Sequence, residues 1–166
     1  MIELRRLTVG DWPLWRELRL AALAEAPYAF SSRLADWQGE GDTEQRWRAR
    51  LEIPGAVNFV AVLDGRQAGM ASGVPAGDRS AELISMWVSP AARGRGVGDQ
   101  LVAAVEQWAR QVGASVLRLA VAPGNQNAAA LYLRNGFRYT GERGDLMPDG
   151  VRAEHVMAKR LAATAG

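Results

Sequence analysis

Residues 82–99 read ELISMWVSPAARGRGVGD, and they carry the strongest structural signal in the chain. Its apolar first half predicts a β-strand, and Gly94, Gly96 and Gly98 follow at alternate positions after a proline. Because these glycines lack a β-carbon, the backbone can turn sharply and a bulky ligand can lie against its N–H groups. Apolar residues then recur at helical spacing over 97–112. The stretch therefore predicts a strand, a glycine turn and an amphipathic helix that begins at the turn.

The start of that helix is a candidate anion site. A helix N-terminus has unpaired N–H donors and a partial positive charge, and a phosphate is its natural ligand. The helix dipole contributes about 0.3–1 kcal/mol, whereas each hydrogen bond to a charged group contributes about 1.5–3 kcal/mol. Several backbone donors therefore dominate the binding. Arg93 and Arg95 add positive charge without having to be the main binding groups.

Two familiar nucleotide-binding motifs do not fit this turn. A P-loop ends in Gly-Lys-Ser or Gly-Lys-Thr, but Gly98 is followed by Asp99 and Gln100, and Lys159 is the chain's single lysine. A Rossmann fingerprint requires a third glycine three positions after Gly96, where this chain has Asp99. Both motifs are excluded.

Composition indicates an ordinary globular protein. The chain has 166 residues, of which 48% are hydrophobic and 23% charged, which is enough to bury a core. It contains no apolar run of the roughly 18–20 residues that a membrane helix needs and no signal-peptide pattern. We expect one cytoplasmic domain over 1–166, with a frayed tail at 161–166 and no membrane partner.

The same composition limits the chemistry. Cysteine is absent, so there is no disulfide, thiolate metal site or cysteine nucleophile. His155 is the single histidine and cannot build a zinc site alone, and we expect no metal. The arginines are scattered and the net charge is only +2, which argues against a nucleic-acid partner.

Apolar periodicity and turn residues predict the rest of the chain. Strands are predicted at 2–8, 57–63, 67–74, 115–121, 137–142 and 151–161, and helices at 11–24, 43–51 and 128–135, with 27–42 as a loop. Asp64-Gly65 is a two-residue hairpin signal, and Asn125 or Asn127 can cap the helix at 128–135. The strand at 82–88 and the strand at 115–121 flank a crossover helix, so we expect them to be parallel.

Two motifs connect the chain to a known family. Arg93-x-x-Gly96-x-Gly98 resembles the pyrophosphate-binding motif of the GNAT superfamily of N-acetyltransferases, which hold acetyl-CoA. Residues 125–137, NQNAAALYLRNGF, resemble the second motif of that superfamily in the expected place. The order of elements also matches the superfamily along nearly the whole chain.

The resemblance implies the α/β (α+β) fold of the GNAT acyl-CoA acyltransferases. This is a mixed, mostly antiparallel sheet of six to seven strands with two splayed parallel central strands and about four helices. The acetyl-CoA arm would lie between the splayed strands and its pyrophosphate on the glycine turn. The implied cofactor-binding residues are Met86, Trp87, Val88, Arg93, Gly94, Arg95, Gly96, Val97, Gly98, Asp99, Asn125 and Ala128.

Two residues are candidates for acid and base catalysis by the same resemblance. Glu82, eleven residues before Arg93, has the spacing of the general base in histone-modifying relatives. Strand alternation predicts that it shares a face with 84, 86 and 88, where burial would raise its pKa. The alternatives are a strand-end ion pair for Glu82, with water or His155 as the base. Tyr132 matches the tyrosine that protonates the departing thiolate, or else it is a packed core aromatic.

The amine acceptor is left open between a small molecule and a peptide or protein. The implied groove lies at 28–37 and 143–152, and we expect a monomer or a homodimer. A rival interpretation is a non-catalytic acyl-CoA-binding module of the same fold with a sensor or regulatory role. The candidate acceptor-binding residues are Tyr28, Phe30, Ser31 and Ser85, with Trp37 and Trp87 for an apolar portion and Asp36, Glu40 or Asp145 for an amine.

Overall fold

The computed structural model describes residues 1–30 and 33–161, apart from the side chain of Tyr28. These residues form one sheet in the order β1-β2-β3-β4-β5-β7-β6. The strands are β1 (Ile2–Arg6), β2 (Val57–Leu63), β3 (Arg66–Gly77), β4 (Ser80–Val88), β5 (Val116–Val121), β6 (Arg138–Leu146) and β7 (Ala153–Arg160), and the α-helices are α1 (Trp12–Glu25), α2 (Glu44–Leu51), α3 (Val97–Gln111) and α4 (Gln126–Arg134). The predicted mixed sheet with four α-helices is confirmed in the described part of the chain.

The first four strands form an antiparallel meander. Asp64 and Gly65 connect β2 to β3 with φ angles of 50° and 83°, the left-handed pair that a two-residue hairpin turn requires. Asp78 and Arg79 connect β3 to β4 with φ angles of 48° and 57°. The hairpin predicted at Asp64-Gly65 therefore forms, and Asp78 and Arg79 make a second two-residue turn.

The two parallel strands, β4 and β5, separate along their length. They pair from Ser80 with Val116 as far as Leu83 with Leu119. Beyond Leu83 the strand β4 continues to Val88 with no β5 partner. The predicted splay is confirmed, and one edge of β4 has backbone groups free of the sheet ladder at the point where the strands diverge.

A β-bulge interrupts β4 beside the splay. Ser85 and Met86 both stand opposite Ala71 of β3, and Ser85 has a φ of 55°. The extra residue reverses the alternation of side chains beyond it. Glu82 and Met86 therefore lie on opposite faces of the sheet, and the expectation that Glu82 shares a face with 86 and 88 is wrong.

The burial pattern shows the same reversal. Leu83, Met86 and Val88 pack in the core layer under α3, whereas Trp87 packs in the layer under α1 and α2. Trp15 and Trp47 are fully buried in that second layer. The sheet is thus covered on both faces, and Glu82 faces the α1–α2 side.

Two predictions about irregular segments are corrected. The predicted loop at 27–42 contains three short 3-10 turns, Pro27–Ala29, Leu34–Trp37 and Gly39–Gly41. Leu161 is not frayed, because its side chain is buried and its N–H donates to the Ser115 carbonyl at 2.9 Å. The remainder of the predicted tail, 162–166, lies outside the described residues. No described helix is both long and apolar enough to cross a membrane.

Candidate active site

The glycine turn presents bare backbone at the start of α3. Gly94 and Gly96 have φ angles of 77° and 86°, and Gly96 is the residue that precedes the helix. A β-carbon at Gly98 would lie 3.1 Å from a methyl carbon of Leu131 on α4. Glycine at 98 therefore lets α4 approach the start of α3, and the two elements together border a cleft.

This cleft, which we call the splay cleft, opens where β4 leaves β5 and has a volume of about 550 Å³. Its walls come from the end of β4, the glycine turn, α4 and the segment after α1. The predicted cofactor residues that line it are Met86, Trp87, Val88, Arg93, Gly94, Gly96, Val97, Gly98, Asp99, Asn125 and Ala128. Arg95 does not line the cleft.

The two arginines of the turn are already paired with carboxylates. Arg93 donates to Glu25 at 2.8 Å and to the Val88 carbonyl at 3.2 Å. Arg95 donates to Asp64 at 3.4 Å, outside the cleft. Both guanidinium groups of the turn therefore already have acceptor partners within the protein.

Asp99 connects the glycine turn to the end of α4 by hydrogen bonds. Its carboxylate accepts two hydrogen bonds at 2.9 Å from the Arg134 guanidinium and one at 2.9 Å from Asn135. Hydrogen bonding to Arg134 lowers the pKa of Asp99 against the opposing effect of burial. The side chain of Asp99 is therefore structural, and its backbone is the part that a ligand can contact.

Asn125 begins α4. Its side-chain oxygen accepts the Ala128 N–H at 3.3 Å, which makes Asn125 rather than Asn127 the capping residue. Its amide N–H₂ group still has donors for a ligand in the splay cleft, which it lines.

Tyr132 lies where the splay cleft meets a second cavity, and it lines both. Its ring is 5% exposed and packs edge-on against Phe137, with ring centroids 6.0 Å apart. Burial raises the pKa of Tyr132 above its ordinary value. The hydroxyl is therefore protonated at neutral pH.

The second cavity, which we call the aromatic cavity, lies on the α1–α2 side and has a volume of about 250 Å³. It shares Ala29, Phe30, Met86 and Tyr132 with the splay cleft, so the two spaces adjoin. Its aromatic walls are Trp15, Phe30, Trp37 and Trp47, and its charged side chains are Arg19, Arg50, Glu82, Asp145 and Glu154.

Three carboxylates from three strands converge on the aromatic cavity. Burial, and then the negative charge of Asp145, raise the pKa of Glu82. The same two causes raise the pKa of Glu154, whose side chain is 8% exposed. No group of three or more ligating side chains within residues 1–30 and 33–161 is arranged to hold a metal ion. The aromatic cavity therefore contains a cluster of carboxylates, two of which have raised pKa values.

His155 is outside this site. It lies on β7 between Glu154 and Val156, is exposed to solvent, and packs against the ring of Tyr139 at 6.1 Å. Because neighbouring strand residues point to opposite faces, Glu154 reaches the cavity and His155 does not. This geometry contradicts the alternative in which His155 is the base.

The predicted acceptor residues divide between the two spaces. Phe30, Ser85, Trp37 and Asp145 line the aromatic cavity, Trp87 lines the splay cleft, and Asp36 and Glu40 line neither. Ser31 and the side chain of Tyr28 lie outside the described part of the chain.

Sequence reasoning missed Arg19, Arg50 and Glu154. Arg19 is four residues after the buried Trp15 on α1, and residues at this spacing share a helix face. That spacing was the one sequence signal that could have identified Arg19 as a residue on the buried face of α1.

A sheet split between two parallel strands, with a glycine turn at a helix start beside the split, defines the acyl-CoA acyltransferase class of fold. The model of the Acetyltransferase (GNAT) family matches residues 15–137. The chain belongs to this family and is an acetyltransferase.

Individual relatives agree with this assignment. An uncharacterized N-acetyltransferase of Mycobacterium tuberculosis is 27% identical over 143 residues, which cover 86% of this chain and 92% of that protein. A GCN5-related N-acetyltransferase from Kribbella flavida has a similar structure, with a TM-score of 0.76, 27% identity and coverage of 96% and 98% of the two chains. The PaiA N-acetyltransferase from Thermoplasma acidophilum, solved in complex with coenzyme A, shares the fold with a TM-score of 0.74, 20% identity and coverage of 97% and 99%.

Proposed function

We propose that the protein transfers the acetyl group of acetyl-CoA directly to the primary amine of a small molecule. The observation that carries this proposal is that the splay cleft and the aromatic cavity adjoin at Tyr132. A donor in the cleft and an amine in the cavity would meet there. The chain has no cysteine to hold an acyl intermediate, which favours direct attack.

The donor side fits acetyl-CoA. The bare backbone at Gly94 and Gly96 suits a pyrophosphate, since several charge-assisted hydrogen bonds can form there. The edge of β4 beyond Leu83 has no β5 partner, and its free backbone groups suit an amide-containing arm. The solved relative with bound coenzyme A has the same fold.

The acceptor side fits a primary amine. An amine with a pKa of about 10.4 costs about 4–5 kcal/mol to deprotonate at pH 7, so a base contributes more than an acid does. Glu82 accepts that proton, the nitrogen attacks the thioester carbonyl carbon, and the carbon–sulfur bond breaks as the carbon–nitrogen bond forms. Tyr132 gives a proton to the departing sulfur, and the acetylated nitrogen loses its remaining extra proton to solvent.

The size of the cavity favours a small acceptor over a protein segment. Its volume of about 250 Å³ is below the roughly 300–1,000 Å³ of pockets for drug-sized ligands. An assay that follows the CoA thiol released from acetyl-CoA with a panel of small amines and peptides tests this point. Faster turnover of peptides than of every small amine would contradict it.

The same assay distinguishes an enzyme from a silent acyl-CoA-binding module. The module would bind acetyl-CoA in calorimetry and release no thiol with any amine. Thiol release that depends on an added amine, together with a product heavier by one acetyl group, would establish transfer.

Tyr132→Phe tests the proposed acid. We expect kcat to fall by about 10²–10⁴-fold, the usual contribution of general acid catalysis, with little change in acetyl-CoA binding because the ring remains. Tyr139→Phe is the matched control, since Tyr139 is 52% exposed on β6. Full turnover by Tyr132→Phe would remove the acid role.

A further inference from the structure

Two cations in the aromatic cavity have no anionic partner among the described residues. Arg19 on α1 is 9% exposed, and Arg50 on α2 is partly buried beside it. The ion pairs formed within residues 1–30 and 33–161 include neither arginine. Buried charges in proteins are normally paired, because desolvation of an unpaired ion is costly. A bound anionic ligand would supply the partner that these two arginines lack.

The partners that hold Arg50 are all neutral. Its guanidinium donates to Asn58 at 3.2 Å, to Ser72 at 3.1 Å and to Ser85 at 3.0 Å. It also lies over the ring of Trp15, 5.0 Å from the centroid. These contacts fix the position of the group and leave its positive charge uncompensated.

Arg19 completes the same cationic wall. Its guanidinium lies 4.6 Å from the centroid of the Phe30 ring. Burial, and then the positive charge of Arg50, lower the pKa of Arg19 to about 10, and burial lowers the pKa of Arg50 to about 10. Both arginines are therefore charged at neutral pH. The like charges lie close enough to disfavour each other, which increases the attraction of the site for an anion.

Two buried donors at this wall have no acceptor among the described residues. They are Nη1 of Arg19 and Nε1 of Trp15, and both residues line the aromatic cavity. Buried N–H groups are nearly always hydrogen-bonded. Both atoms are donors, so the missing partner must supply acceptor oxygens, and a carboxylate supplies two that match a guanidinium.

The strands that line the same cavity contribute the opposite charge. Glu82, Asp145 and Glu154 line the same cavity, and within the described ranges none of them forms an ion pair with either arginine. A cavity with a cationic wall and an acidic wall is complementary to a small molecule that carries both charges.

We propose that the acceptor is a small amino acid, whose amine lies towards Glu82 and Tyr132 and whose carboxylate binds Arg19, Arg50 and the Trp15 N–H. This inference rests on the proposed acetyl transfer and specifies its substrate class. The aromatic walls suit an apolar side chain that branches from the carbon bearing the amine and the carboxylate.

The first test compares each of the twenty common amino acids with its carboxamide as acceptor for the wild-type enzyme. We expect at least one amino acid to have kcat/KM about tenfold to a hundredfold above that of its amide, since hydrogen bonds to a charged group are lost in the amide. Equal or faster turnover of the amides, or turnover of neutral amines alone, would overturn the inference while the acetyltransferase activity stands.

The second test uses variants that remove the cationic wall. Arg50→Met should raise KM for the preferred amino acid at least tenfold and KM for its amide much less, because the amide loses only a neutral hydrogen bond. Arg48→Met is the matched control, because Arg48 is on the same helix, has a side chain that is 42% exposed, and pairs with Glu44 at 3.0 Å. Equal losses for the amino acid and its amide would show a merely structural role for Arg50.

A binding measurement decides the inference even if no amine is acetylated. Calorimetric titration of the N-acetyl amino acids into the enzyme with CoA should give saturable binding that Arg50→Met abolishes and Arg48→Met retains. If no amine is a substrate but this binding is seen, the proposed transfer fails and the carboxylate site stands. If the N-acetyl amino acids do not bind, the carboxylate site is wrong.

Discussion

Glu82 shows how a single side chain connects stability with chemistry. Burial and Asp145 raise its pKa above the ordinary value of 4.5, so the folded protein holds this proton more tightly than the unfolded chain does. The stabilising contribution of the protonated group is complete below pH 4.5 and is lost as pH rises through the raised pKa. The form that can accept a proton from an amine is thus the form that destabilises the fold.

Glu82→Gln should separate these two effects. We expect kcat/KM to fall by about 10²–10⁴-fold and the acidic limb of its pH profile to disappear. The Tm of the variant minus that of the wild type should increase as the pH rises from 4 to 7. The reason is that the wild-type carboxylate becomes a buried charge over this range, whereas the amide stays neutral. Calorimetric scans and a pH series of initial rates measure both quantities.

Glu17→Gln on the exposed face of α1 is the control and should change neither. An unaltered pH profile in Glu82→Gln would exclude Glu82 as the base. A Tm difference that does not depend on pH would show that burial does not raise the pKa of Glu82.

Elements whose signals lie within a few neighbouring residues were predictable. Strand β2 matches the predicted 57–63, and α3 begins at the predicted glycine turn. The bulge at Ser85 was not predictable from the sequence. A glycine within a strand can indicate a bulge, but here a serine adopts the positive φ. That one residue places Met86 and Val88 on the opposite face of the sheet from Glu82.

Gly96 tests whether the turn at the start of α3 is a binding element. Gly96→Leu should abolish acetyl-CoA binding, because a side chain would stand at the rim where backbone must approach the ligand. The positive φ of 86° at Gly96 also imposes strain of about 1–2 kcal/mol on any other residue, so a loss of stability must be separated from a loss of binding.

Gly113→Leu makes that separation. Gly113 follows the other end of α3 and has a φ of 83°, and a β-carbon added there, as at Gly96, would meet no described atom within 4 Å. Both variants should lose similar stability in urea denaturation, and only Gly96→Leu should lose affinity in calorimetry. Equal affinities in the two variants would contradict the assignment of the turn.

The site as a whole depends on contacts between distant parts of the sequence. Arg19, Arg50 and Glu154 come from α1, α2 and β7, and they meet only in the folded chain. Charged residues are usually placed on the solvent side of an element, so, apart from the spacing between Trp15 and Arg19, no local pattern identifies these three as cavity residues. Most residues that line the splay cleft were predictable because they are concentrated in two short motifs, whereas most of those that line the aromatic cavity were not.

The splay leaves the two parts of the sheet, β1–β4 and β5–β7, joined over only a short length. Strands β4 and β5 are paired only from Ser80 with Val116 to Leu83 with Leu119. A ligand in the splay cleft would contact β4, α3 and α4 at once. It would therefore connect elements that lie on either side of the gap between β4 and β5. We therefore expect donor binding to raise the stability of the whole fold.

Thermal unfolding with CoA, acetyl-CoA and ATP tests this expectation. At a concentration 100 times Kd a ligand that binds only the folded state adds about 2.7 kcal/mol, which corresponds to a rise in Tm of roughly 5–10 °C for a chain of this size. CoA and acetyl-CoA should both produce this rise, and ATP, which has phosphates but no pantetheine arm, should produce much less because it cannot extend along β4. The rise should vanish in Gly96→Leu and persist in Gly113→Leu. An equal rise with ATP would mean that the turn binds phosphate alone and that the gap between the strands takes no part in holding the donor.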